Sequence, residues 1–129
     1  MTEPQLVPEE ISPLRAKILA QNDLRIVPIT IDEWPDVEGL HLRTLPSDER
    51  SRYAESLKFD GAGNPTVLLN LEARLLVRAF CDADGKRIFT DEDVDLLSTK
   101  NSLALNKAWK VAADLNALTA KAALELEGN

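Results

Sequence analysis

The residues best placed to do chemistry lie in one turn, Cys81-Asp82-Ala83-Asp84-Gly85-Lys86, with Asp91 a short way beyond it. Carboxylates gathered about a glycine are the raw material of a hard-cation site. Calcium and magnesium take oxygen ligands, and glycine allows the sharp turn that collects them. The lone thiol, Cys81, has weak support as a nucleophile. The only histidine, His41, is far away in sequence, and Asp82 and Asp84 would raise a thiol pKa. A small buried residue is the better account of Cys81.

Aligned on Gly85, Phe80 to Asp91 resembles the calcium loop of an EF-hand. Asp82 and Asp84 fall at loop positions 3 and 5, Gly85 at 6, Ile88 at 8 and Asp91 at 12. Two features oppose a metal site. Phe80 stands at position 1 and cannot ligate a hard cation, and Asp91 is shorter than the usual bidentate Glu. Asp82, Asp84 and Asp91 are therefore weak metal candidates, and the plainer reading is a tight turn. Gly85 supplies positive φ, and Ile88 and Phe89 hold the loop to the core. No cofactor is expected.

Other chemistry is sparse. The chain has no GxGxxG, GxxxxGK[ST], HExxH, CxxC or GxSxG pattern. One histidine and one cysteine exclude most catalytic and zinc constellations. The carboxylates cluster at helix starts, where structure explains them, so an enzyme is not expected. The net charge of −7 disfavours nucleic acid, whose phosphates need a basic surface. The N-terminus carries acids and prolines where a secretory signal would carry basic and then apolar residues, and no run suits a membrane span. With 129 residues, 44% of them hydrophobic and 29% charged, the chain suits one soluble domain whose core rests on Leu and Ala.

The elements that must position the turn can be taken in order. Residues 1–23 read as a flexible tail with a short peripheral helix, begun by Ser12 as N-cap and Pro13 at the first helical position and ending near Asn22. Residues 24–129 form the globular domain. Leu24–Ile31 is a β-branched strand that Pro28 places at an edge or bulge. Leu40–Leu45 alternates, with Leu40, Leu42 and Thr44 on one face and His41, Arg43 and Leu45 on the other. Together they form a hairpin over 24–45 that a helix must cover.

The helical body spans 47–127. Ser47 caps a helix to about Lys58, with Tyr53, Ala54 and Leu57 inward. After the loop Asp60–Pro65 comes the central helix from Val67 to Phe80. Its stripes are Leu68, Leu71, Leu75, Ala79 and Leu69, Ala73, Leu76, Phe80, and its wet line is Asn70, Arg74 and Arg78. Thr90 caps the next helix, with acids in its first turn and a Phe89–Val94 staple. Asn101 or Ser102 caps a long helix with Leu105, Ala108, Trp109, Ala112 and Leu115 inward. A last helix covers Ala120–Glu127. The fold class is α+β, mainly α, with an N-terminal two-stranded hairpin packed on a bundle of four to five helices.

The order of these pieces carries a resemblance. Glu33-Trp34, the alternating Leu40-His41-Leu42-Arg43, the PSDERSRYAESL helix, a glycine-rich loop, LEARLLVRAFCDADGKRIFTDEDVDLL and a helix with Trp109 resemble the tail assembly chaperones of long-tailed, siphovirus-type bacteriophages and prophages. The resemblance runs from about Leu24 to Glu127, and the first 23 residues have no counterpart in it. It implies a non-enzymatic protein that binds the tape measure protein and keeps it soluble until tail tube protein polymerises around it. It further implies a place in the host cytoplasm and absence from the mature virion. The alternative is an EF-hand-like, cation-binding regulatory or protein-interaction module. The resemblance transfers no site residues. From the residues themselves, the partner-binding candidates are Trp34 in its loop and Leu118, Leu124 and Leu126 near the C-terminus, where large anchors are sparse. A homo-oligomer is compatible with all of this.

Overall fold

The central helix changes into a strand without an intervening loop. In a computed structural model of the chain, which describes residues 12–57 and 69–118, helix α3 (Leu71–Ala79) runs directly into strand β3 (Phe80–Cys81). Before them come α1 (Pro13–Leu19), β1 (Ile26–Pro28), β2 (His41–Arg43) and α2 (Ser47–Ser56). After them come a 3-10 turn (Asp91–Asp93), α4 (Val94–Leu97) and α5 (Ser102–Leu115). The architecture is α+β and mainly α, as expected. The sheet differs from a two-stranded hairpin. It is antiparallel in the order β1-β2-β3, because Phe80 and Cys81 pair with Leu42 and His41. Phe80 was expected to end the helix. Its Cα instead turns to φ −62°, ψ 129°, which lets its side chain enter the core while its backbone completes the sheet.

The edge position expected for Pro28 holds. β1 is the outer strand, and Pro28 faces His41 with an exposed ring. The alternation expected for Leu40–Leu45 fails, because Leu40, Leu42, Arg43 and Leu45 are all buried. β2 is the central strand, and both of its faces are covered at that end.

Local signals place the helix starts. Ser12 Oγ accepts from Leu14 N at 3.1 Å, and Asn101 Oδ1 accepts from Leu103 N and Ala104 N at 2.8 and 3.1 Å. Thr90 N donates to Asp93 Oδ2 at 2.8 Å, half of a capping box. Ser47 is not a cap: α2 begins on it, with Pro46 in the N-cap place and no side-chain bond. Ala54 is exposed while Tyr53 is buried. The expected loop Asp60–Pro65, Leu68 and the final helix Ala120–Glu127 lie outside the described residues.

The core is a cluster centred on Leu42, Leu75, Leu76, Val77 and Phe80. Against α3, α5 presents small residues, Ala104, Ala108 and Ala112, with Leu105 beside them. The small side chains let the two helix backbones approach closely. Asn116, just past α5, is buried. Its Oδ1 accepts from Leu45 N at 2.7 Å, and its Nδ2 donates to Ala112 O at 2.9 Å and Arg43 O at 3.3 Å. One amide thereby satisfies the end of the central strand and ties it to α5.

Helix α5 ends in a Schellman arrangement. Leu118 N donates to Ala113 O at 2.6 Å and Ala117 N to Asp114 O at 3.1 Å. Ala117 holds φ 55°, the left-handed region that suits glycine. Ala117→Gly should therefore stabilise the protein by about 0.5–1 kcal/mol, read as a higher denaturation midpoint with an unchanged slope.

Candidate functional site

Two successive turns shape the Trp34 loop. Trp34 N donates to Ile31 O at 2.9 Å and Val37 N to Trp34 O at 3.1 Å, with Pro35 in the second position of the latter turn. Glu33 is held from α5 by Lys107 Nζ at 3.0 Å, a bond that lowers its carboxyl below the ordinary range. The Trp34 ring half-buries itself against Phe80, at 6.1 Å between centroids, and Phe80 in turn meets Phe89 at 6.0 Å. Between the loop and α4 an open apolar groove of ≈ 470 Å³ remains, lined by Trp34, Pro35, Val37, Phe89, Leu96 and Leu97. Glu33, Asp36 and Lys100 complete its lining. The groove can receive apolar side chains and fix their orientation by charge at the edge.

The acidic turn is built differently from a cation loop. Asp82 N donates to Lys86 O at 2.9 Å, Gly85 N to Asp82 O at 3.0 Å, and Cys81 bridges Arg87 across the turn. With Gly85 at φ 84° this is a short hairpin with a glycine bulge. Asp82 Oδ1 is occupied by Lys86 N at 3.0 Å and Asp84 N at 2.9 Å. Those two backbone bonds hold its carboxyl below the ordinary range. Their support exists at neutral pH and is lost as the pH falls through that lowered value. A Cβ on Gly85 would stand 2.7 Å from Ile26 Cδ1, so the turn rests on β1. Ile88, expected to pin the loop, is exposed, and Phe89 alone reaches the core.

Asp91 is turned the other way. Its Oδ2 accepts from Arg78 Nη2 at 2.6 Å and its Oδ1 from Arg87 Nη2 at 2.8 Å. Among the described residues, no three His, Cys, Asp or Glu side chains gather so as to hold a metal ion. Cys81 is fully buried, and burial, with a smaller contribution from Asp82, pushes its thiol pKa up. It is a core residue.

Of the partner-binding candidates, Trp34 lines the groove. Leu118 has a structural role, packing on the core as part of the helix stop. Leu124 and Leu126 lie outside the described residues. Sequence reasoning missed the polar centre. Arg43 and Arg78 are only 5% and 7% exposed. Arg43 Nη2 lies 2.8 Å from each Glu49 oxygen, and its Nε donates to Arg78 O at 3.0 Å. Arg78 and Arg87 each come within 3.5 Å of Glu49 as well. One signal was present: Arg78 interrupts the apolar run Leu75-Leu76-Val77 and Ala79-Phe80. A charge in such a run must be paired if the run is buried.

No protein-family model matches the sequence, and no curated protein matches it significantly. Among solved structures, the chain is similar in fold to the bacteriophage HK97 tail assembly chaperone. The likeness has a TM-score of 0.56 at 18% identity and covers 81% of this chain and 98% of that one. Among the described residues, no helix is long and apolar enough to cross a membrane.

Two outcomes are expected. Glu49→Ala leaves buried Arg43 without its carboxylate and should cost about 3 kcal/mol in chemical denaturation, with Glu49→Gln costing less. Millimolar calcium should leave the melting temperature of the wild type and of Asp82→Ala unshifted relative to their calcium-free melts. A calcium-dependent rise that Asp82→Ala abolishes would restore the cation-binding reading.

Proposed function

We propose that this protein is a tail assembly chaperone of a siphovirus-type bacteriophage or prophage. It binds the tape measure protein in the host cytoplasm, keeps it soluble until tail tube protein assembles around it, and is absent from the mature virion. The reading is non-enzymatic.

The observation that carries it is the fold likeness to the HK97 tail assembly chaperone, which spans nearly all of that chain. The motif order from Glu33-Trp34 through DADGKRIFTDEDV supports it independently of the fold. The physics is compatible. A long helical client exposes apolar stripes, and an apolar groove can cover one. A net charge of −7 would keep such a complex from aggregating.

The test is co-expression of the wild-type chain with a phage tape measure protein. The tape measure should move from the insoluble to the soluble fraction and copurify with the chain. A tape measure that stays insoluble, with neither it nor tail tube protein recovered in pull-downs, would sink the reading.

A further inference from the structure

Arg74 and Arg78 stand one turn apart on α3 and line the same cavity. Like charges at that spacing repel each other. Arg78 is buried, so water screens little of the repulsion. The rest of the wall is Ser56 from the end of α2, Val77, Asp91 and Val94. The enclosed space is ≈ 110 Å³. That is room for about three waters or one tetrahedral oxyanion.

Charge around the cavity does not balance. Arg43, Arg78 and Arg87 share the carboxylates of Glu49 and Asp91. Arg74 makes no ion pair among the described residues. Its Nε donates to Leu69 O at 3.1 Å and its Nη1 to Ser56 O at 3.3 Å. Four guanidiniums thus stand against two carboxylates, a local positive excess in a chain whose net charge is −7. The other charged residue of α3, Glu72, lines a separate cavity with Asn70 and Ser102. Asp91 lies on the wall, but its oxygens already accept from Arg78 and Arg87.

Donors remain for a ligand. Arg78 gives Nη2 to Asp91 and reaches Glu49 only at 3.5 Å from Nη1. Arg78 Nε and Arg74 Nη2 have no acceptor among the described residues.

We propose that this cavity is a site for a small, doubly charged oxyanion of the phosphate class, held between Arg74 and Arg78. The two guanidiniums offer it charge-assisted hydrogen bonds, and its charge offsets the local excess. The walls come from α2, α3 and α4, so the site exists only in the folded chain and its ligand stabilises that state. The inference goes beyond the chaperone reading and uses the protein alone, so either can fail without the other.

Melting of the full chain at pH 8, with inorganic phosphate replacing chloride at constant ionic strength, tests it. The melting temperature should rise saturably, with a dissociation constant on the order of 1 mM. At about ten times that concentration the rise should be about 4–7 °C. Acetate, with a single charge, should bind at least about tenfold more weakly. Arg74→Gln should lose the rise relative to its own phosphate-free melt, while Arg52→Gln, at an exposed arginine of α2, keeps it. Ser56→Asp sets a carboxylate on the cavity wall and should also remove the rise. O-phosphoserine separates two sources of the same chemistry. Affinity equal to that of phosphate assigns the site to a phosphorylated side chain, and an affinity about tenfold weaker assigns it to the free ion. A wild type whose melting temperature does not respond to phosphate would overturn the proposal. So would a rise that acetate matches, or one that survives in both Arg74→Gln and Ser56→Asp; phosphate would then act through general hydration of the protein surface.

Discussion

Two guanidiniums sit inside this protein, and the rest of the structure is arranged so that they are paired. Arg43 comes from the central strand, Arg78 from the last turn of α3, and both meet Glu49 from α2. Arg87 and Asp91 close the cluster from the hairpin and the 3-10 turn. An unpaired charge at this depth would be strongly unfavourable, so all of these elements must arrive together. The cluster also ends α3. Arg78 O accepts from Arg43 Nε, and Val77 O from Arg87 Nε and Nη2. These carbonyls belong to the last turn of the helix, which leaves them without an amide partner in the helix itself. Cations are favoured at that end. With its carbonyls satisfied from outside, the chain passes from helix to strand at Phe80 without a glycine stop.

That passage positions the groove. Phe80 follows the capped helix end directly and places its ring between Trp34 and Phe89. The Trp34 loop and the segment entering α4 therefore lean on one buried ring, and the space left between them is the apolar groove. Asp91, at the start of the 3-10 turn, is held by Arg78 and Arg87, so the buried charges help set where the α4 wall stands. The groove is shaped in part by charged groups that do not line it.

The acidic turn shows how similar residues can serve different ends. A cation loop aims its carboxylates inward at one point. Here Asp82 Oδ1 accepts from its own turn's backbone, and both oxygens of Asp91 are taken by arginines. What decides between the two outcomes is the hairpin pairing of Cys81 with Arg87, which closes the turn within a few residues and carries Asp91 away from it.

Local chemistry made part of the molecule legible in the sequence. Ser12-Pro13, Asn101 and the Thr90–Asp93 pair act over three residues or fewer, so the helix starts could be read from them. Gly85 as a turn residue, Pro28 as an edge residue and the apolar centre at Leu75, Leu76 and Phe80 follow from backbone limits and periodicity in the same way. Only the tertiary structure decided what depends on distant partners. Arg43 meets Glu49 and Arg78, Asn116 reaches Leu45, and β3 pairs with β2 across more than thirty residues of chain. Pattern cannot show such partners, because an arginine or asparagine in a half-apolar segment reads the same whether it faces water or a buried carboxylate. Trp34 was legible as a candidate by residue type. The groove it lines depends on Phe80, Phe89 and α4 meeting in space.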